Sequence, residues 1–162
     1  MRAEPRKEGI ARFSSHTLMI PKLESDNCEG IIRELAFRME KEGFVDKSDK
    51  LVEKALEREA IISTAVDIGL AFPHVRGVEG GGLTLAMGLT SKPVLMHPGD
   101  KTPTRIVFFL AIPTAASAFY LKLLSGLTEV FIKPEARKAV LAEKDAEKLW
   151  KTLVKITRTV IK

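Results

Sequence analysis

Hydrophobic positions change their period along this chain, and the changes mark the elements. Thr17-Leu18-Met19-Ile20 is a short apolar run stopped by Pro21, which predicts a strand. Ile31, Ile32, Leu35, Ala36 and Met39 then recur at helical spacing with charge on the other side. Asp26, three residues before Glu29, gives that helix a capping-box start, and Gly43 gives it a stop. A second helix is predicted from a Ser48 cap, with Leu51, Val52, Ala55 and Leu56 as its apolar stripe. Beyond Ala60 the texture becomes strand-like. Ile68 to Phe72 is apolar and halted by Pro73, Leu83 to Leu89 follows three glycines, and Val94-Leu95-Met96 is another short apolar piece. Arg105 to Ile112 is a near-continuous run rich in Val, Ile and Phe, the pattern of a strand buried on both faces. Helical spacing returns with Leu121, Leu124, Leu127, Val130 and Phe131. Pro134 fits the first turn of a short helix. Asp145 caps a last one, with Leu149, Trp150, Leu153, Val154 and Ile156 inward.

Helices at both ends and strands in the middle predict an α/β domain, one mixed sheet flanked by helices on both sides. Residues 1–15 read as a loose leader and 16–162 as the domain, with no internal repeat and no dividing linker. The 162 residues are one domain's length, and 45% hydrophobic with 29% charged is a globular composition. The longest apolar run, Ile106 to Ile112, is far too short to cross a bilayer, and the charged start is not a secretory signal. A single cysteine, Cys28, excludes an internal disulfide and fits a reducing, cytoplasmic setting. The net charge of +5 is carried partly by the ends, at Arg2, Arg6, Lys7 and Arg12 and at Lys148, Lys151, Lys155, Arg158 and Lys162. No aromatic side chains interleave with these cations as stacking platforms would, so they read as solvated faces and not as a nucleic-acid surface.

The chemistry narrows to histidine. Of His16, His74 and His97, none stands at a zinc-like spacing from another His, Cys or carboxylate. There is no GxGxxG, no Walker loop and no GxSxG elbow, so neither a cofactor nor a metal is expected. His97, in a Met-His-Pro-Gly loop, reads as an ordinary loop histidine. His74 follows Gly69-Leu70-Ala71-Phe72-Pro73. A rigid, proline-fixed strand end is a good pedestal for an imidazole nucleophile, whose near-neutral pKa leaves a lone pair free at cytosolic pH.

Residues 58–76, REAIISTAVDIGLAFPHVR, carry Arg58, Glu59, Ser63, Thr64, Gly69, Ala71, Pro73 and His74 in one block. This block resembles the active-site signature of the type-2, fructose/mannitol-type enzyme IIA domain of the bacterial sugar phosphotransferase system. Lys41-Glu42-Gly43-Phe44-Val45, Lys92-Pro93-Val94, the Arg105–Ala111 strand and Leu121-Lys122-Leu123-Leu124 fall into register with it, so the resemblance covers roughly residues 17–155. It implies the phosphotransferase/anion-transport-protein fold and a phosphohistidine at His74. The donor would be the phosphocarrier HPr and the acceptor a cysteine on an enzyme IIB domain, with no nucleotide or metal. A phosphoryl group brings nearly two negative charges, and its transfer needs cations nearby. Arg58 matches the family's arginine beside the active histidine, and Arg76 is a second candidate. Ser63 and Thr64 offer hydroxyls to phosphate or turn the chain before the strand.

The sequence also departs from the family. Tyr120 stands where the family carries a second histidine, and Ala65 and Asp67 stand where glycine is usual. A carboxylate at Asp67 would repel a phosphohistidine unless it points away. Three functions stay open: a phosphoryl carrier in sugar uptake, a regulatory module of the nitrogen-regulatory kind whose phosphorylation state controls a protein partner, and a domain that kept the fold and lost the chemistry.

Overall fold

The computed structural model describes residues 8–162. The basic positions Arg2, Arg6 and Lys7 of the expected leader lie outside the described residues. Six strands and five α-helices follow in the order β1 (Met19–Leu23), α1 (Cys28–Lys41), α2 (Ser48–Ile61), β2 (Ala65–Val66), β3 (Leu70–Ala71), β4 (His74–Val78), β5 (Thr84–Val94), β6 (Thr104–Pro113), α3 (Phe119–Phe131), α4 (Pro134–Leu141) and α5 (Ala146–Thr157). The sheet is mixed and not closed. Its order is β1-β5-β6-β3-β2, and β4 also pairs with β6. β1 is parallel to β5, β5 antiparallel to β6, and both β3 and β4 run parallel to β6.

The α/β class is borne out, and β6 explains the layering. Its side chains alternate between two cores, as a strand's must. Ile106, Phe108, Leu110 and Ile112 enter a cluster that also holds Leu123, Leu127 and Phe131 of α3, Val140 of α4 and Leu149 and Leu153 of α5. Val107, Phe109 and Ala111 enter the opposite cluster, with Ile31, Ile32, Leu35 and Met39 of α1 and Leu51, Val52 and Ala55 of α2. Each of the larger buried side chains, Val, Leu, Ile, Met or Phe, contributes about 1.5–3 kcal/mol of transfer free energy. This two-sided burial is why the strand reads as an unbroken apolar run.

Several local expectations shift. Pro21 does not end the first strand but lies inside β1, an edge strand whose pairing with β5 slips between Ile20 and Leu23. An edge strand tolerates a proline because one row of its N–H groups needs no ladder partner. The cap of α1 is Asn27, whose Oδ1 accepts from Gly30 N at 2.8 Å, in place of Asp26. Ser48 is the first residue inside α2, not its cap: its N–H donates to Glu40 Oε1 at 2.8 Å. Asp145 caps α5 as expected. Gly43 ends α1 at φ +81°, and Phe44 N reaches back to Met39 O at 2.8 Å, a left-handed stop that suits glycine. The short apolar piece at Val94 is the far end of β5. Residues 9–15, expected to be loose, are packed. Gly9–Arg12 form a 3-10 turn that buries Ile10, Arg12 donates to Lys162 O at 2.6 Å, and Ser14 donates to Leu85 O at 2.6 Å.

Candidate active site

The site is built where one edge of β6 is covered by an interrupted strand. Leu70 and Ala71 of β3 pair with Ile106 and Val107. The pairing resumes with His74 opposite Leu110, and Phe72-Pro73 forms the break between. The Pro73 carbonyl still accepts from Leu110 N at 3.1 Å, so the break is pinned to the sheet. β3 is reached through a tight antiparallel hairpin with β2, closed by Gly69 N donating to Val66 O at 3.2 Å. Gly69 sits at φ +83°, where a side chain is strained, and an added Cβ would lie 3.4 Å from Pro103 O. That accounts for the one glycine retained in this stretch.

His74 begins β4 and is not beyond a strand end facing solvent, as its proline suggested; only 7% of it is exposed. Its Nδ1 lies 2.9 Å from the carbonyl oxygen of Phe72. A carbonyl only accepts, so Nδ1 carries the proton and Nε2 keeps its lone pair. Burial pushes the imidazole below its ordinary pKa; Arg58 and Arg76 push the same way, while the Phe72 hydrogen bond and the Glu59 carboxylate pull upward. The result is a neutral, oriented imidazole with two guanidinium groups in electrostatic reach.

The neighbouring side chains divide by element. Tyr120, in the first turn of α3, is buried beside His74, with ring centroids 5.9 Å apart and planes tilted by 34°. Arg76, two residues along β4 and exposed, places its guanidinium carbon 5.1 Å from the Tyr120 ring centroid, a cation–π contact. Arg58, in the last turn of α2, donates from Nη1 to Ile62 O at 3.0 Å. Ser63 and Thr64 are both engaged in shaping the loop. Ser63 Oγ accepts from Ala65 N at 3.1 Å, and the Thr64 hydroxyl donates to Glu59. The Thr64 carbonyl accepts from Phe72 N at 3.2 Å, which ties this loop to the strand break before His74. Asp67 is exposed in the β2–β3 turn and is not among the charges acting on His74.

Two residues without an assigned role prove central to the architecture. Glu59 is only 3% exposed. Its carboxylate accepts from the Thr64 hydroxyl, from Thr64 N at 3.2 Å and from His97 Nε2 at 2.8 Å. His97 is therefore not an idle loop residue. Spacing along α2 held a signal for Glu59, since it falls four residues after Ala55 on the stripe of Leu51, Val52 and Ala55. His97, 38 positions away, had none.

The family profile described as "Phosphoenolpyruvate-dependent sugar phosphotransferase system, EIIA 2" matches residues 13–156, and the chain belongs to that family. It is 28% identical over 129 residues to the fructose-specific EIIABC component of Bacillus subtilis; this covers 80% of the chain but only 20% of that longer protein. It is 25% identical over 136 residues to a nitrogen regulatory protein of Bradyrhizobium diazoefficiens, covering 83% of the chain and 88% of the relative. The nitrogen regulatory protein IIA-Ntr of Neisseria meningitidis superposes with a TM-score of 0.79 at 24% identity, covering 88% of this chain and 97% of that one. The IIA mannitol structure of Escherichia coli superposes at 0.69 and 15% identity, covering 86% and 97%. At these identities the structural likeness establishes the fold. No helix among the described residues is long and apolar enough to cross a membrane.

Proposed function

We propose that the chain is a phosphoryl carrier that takes a phosphoryl group from phosphorylated HPr onto His74 and passes it to an enzyme IIB partner. The observation that carries this reading is the Nδ1 contact with Phe72, which leaves Nε2 as the one nitrogen with a free lone pair. The Nε2–P bond forms as the donor's bond to phosphorus breaks. The proton stays on Nδ1, donated to the Phe72 carbonyl, and the phosphoryl group gains the guanidinium charges of Arg58 and Arg76. Positioning and charge do most of the work in such a transfer, so no nucleotide or metal is called for. Large apolar side chains border the site and suit a protein partner: Ile61 is 81% exposed at the end of α2, Ile62 is 64% exposed, and Leu121 is 58% exposed beside Tyr120. A related mannitol IIA has been solved in complex with phosphorylated IIB, which supports a partner of that class.

A second reading has its own support. Nitrogen regulatory relatives match along nearly their whole length, so the same phosphohistidine could serve to control a regulated protein. Incubation with enzyme I, HPr and phosphoenolpyruvate, read by intact mass, tests the shared chemistry. A gain of one phosphoryl group is expected, discharged on adding the cognate IIB if the chain serves transport and retained if it serves regulation. No gain at all would leave a domain that kept the fold without the chemistry.

A further inference from the structure

Three elements bring together side chains that are 31 and 38 residues apart in sequence. Cys28 is the first residue of α1, Glu59 lies in the last turn of α2, and His97 lies in the connection between β5 and β6. Their ligand atoms, the Cys28 Sγ, a Glu59 carboxylate oxygen and an His97 ring nitrogen, all lie within 4.8 Å of one another. We propose that Cys28, Glu59 and His97 form a binding site for one Zn2+ ion.

The donor set selects the metal. One thiolate, one imidazole and one carboxylate suit borderline-soft Zn2+, whereas Mg2+ and Ca2+ demand oxygen shells. Zinc bond lengths imply ligand-to-ligand edges of about 3.3–3.8 Å in a tetrahedron. The Glu59–His97 pair, at 2.8 Å, needs to open slightly, and the cysteine side needs to close by an ångström or so, within reach of side-chain rotation. Three protein ligands leave the fourth position to water.

The scaffold holds these ligands firmly. His97 is fixed by its turn, its N–H donating to Asp100 Oδ2 at 3.1 Å while Asp100 N donates to the His97 carbonyl at 3.1 Å. Glu59 is fixed by both Thr64 donors: Oε1 accepts from the Thr64 hydroxyl, and Oε2 accepts from Thr64 N while it also faces His97 Nε2. The local charge is also right for a cation. The carboxylates of Glu59, Asp100 and Glu29 act on the Cys28 position, and negative charge there favours a divalent ion. On binding, Sγ coordinates as thiolate and its proton goes to solvent. His97 coordinates through Nε2 once the proton that this nitrogen donates to Glu59 has moved to Nδ1.

This proposal does not rest on the phosphoryl-carrier reading, and its test does not measure phosphoryl transfer. The purified chain is titrated with Zn2+ by calorimetry and, separately, with Co2+ by absorption. One Zn2+ per chain and a thiolate-to-cobalt charge-transfer band are expected. Cys28→Ser should abolish the band, and Cys28→Ser and His97→Ala should each weaken Zn2+ binding by at least about tenfold, the least that loss of a zinc-site group costs. Both positions are partly exposed, so neither change opens the core. His16→Ala, at an exposed site elsewhere, should bind as the unaltered chain does. Absence of saturable binding, absence of the cobalt band, or an affinity in both variants equal to that of the unaltered chain overturns the site and leaves Glu59–His97 as a plain hydrogen bond with Cys28 beside it.

Discussion

The carbonyl oxygen of Phe72 lies 2.9 Å from Nδ1 of His74, two residues along the same interrupted strand, and this contact dictates which imidazole nitrogen can react. The tautomer with the proton on Nδ1 should be read directly in 15N-edited NMR of the neutral ring. Its phosphorylated form should carry phosphorus on Nε2. An Nε2–H tautomer at neutral pH would remove the nucleophile from the site as built.

The pH behaviour of His74 follows from burial. Its folded pKa is lowered from an unfolded value of about 6.5, so the unfolded chain binds this proton more readily than the folded one. The stability it contributes is fully present above about pH 6.5 and is lost as pH falls through the folded pKa. In an NMR titration His74 should protonate at lower pH than a histidine in a short peptide. Urea midpoints measured at neutral and mildly acidic pH should fall less in His74→Gln than in the unaltered chain. An identical decline in both proteins would show that His74 is not the titrating group.

Arg58 is steadied by the Ile62 carbonyl through one nitrogen, which keeps the guanidinium near the end of α2 with other donors to spare. Arg58→Ala should slow phosphoryl transfer by roughly two orders of magnitude with an unchanged melting curve, since a positioned charge-assisted contact is lost. Arg58→Lys should recover part of that, because a point charge lacks the fork. A normal rate in Arg58→Ala, measured by rapid quench, would move the role to Arg76.

Tyr120 packs and touches the site at once. It belongs to the core under α3, lies beside His74 and carries the Arg76 guanidinium over its ring. Tyr120→Phe should keep stability and lose about one hydrogen bond's worth of rate, on the order of tenfold. Tyr120→His should raise the rate. Tyr120→Ala should cost about 3–5 kcal/mol of stability in a denaturant titration, the range for emptying a large aromatic from a core. If the Phe, His and unaltered proteins transfer at one rate, the side chain is packing alone.

Much of this was legible because local signals agreed with the fold. The two-faced burial of β6 is written in its unbroken apolar run, and the stripes of α1 and α2 point at the core they meet. The signature from Arg58 to His74 falls on the end of α2, the β2–β3 hairpin and the start of β4, which the fold gathers around the buried imidazole. What escaped was whatever depends on contacts between distant segments. Pro21 stopped a predicted strand that continues because it lies on an edge. Ile10 sat in a segment too short and charged to announce packing, yet it is buried in the cluster that also holds Ile161. The meeting of Cys28, Glu59 and His97 is set by the approach of three elements, which no spacing along the chain encodes.

The most direct measurement is the location of the label itself. The chain and its His74→Ala variant are phosphorylated from HPr under identical conditions, kept at neutral or alkaline pH, and the phosphoryl group is mapped by fragmentation of the peptide that spans Pro73. One acid-labile phosphoryl group on His74, absent from the variant, is the result this account predicts. Label that persists in His74→Ala, or that maps to His16 or His97, contradicts it.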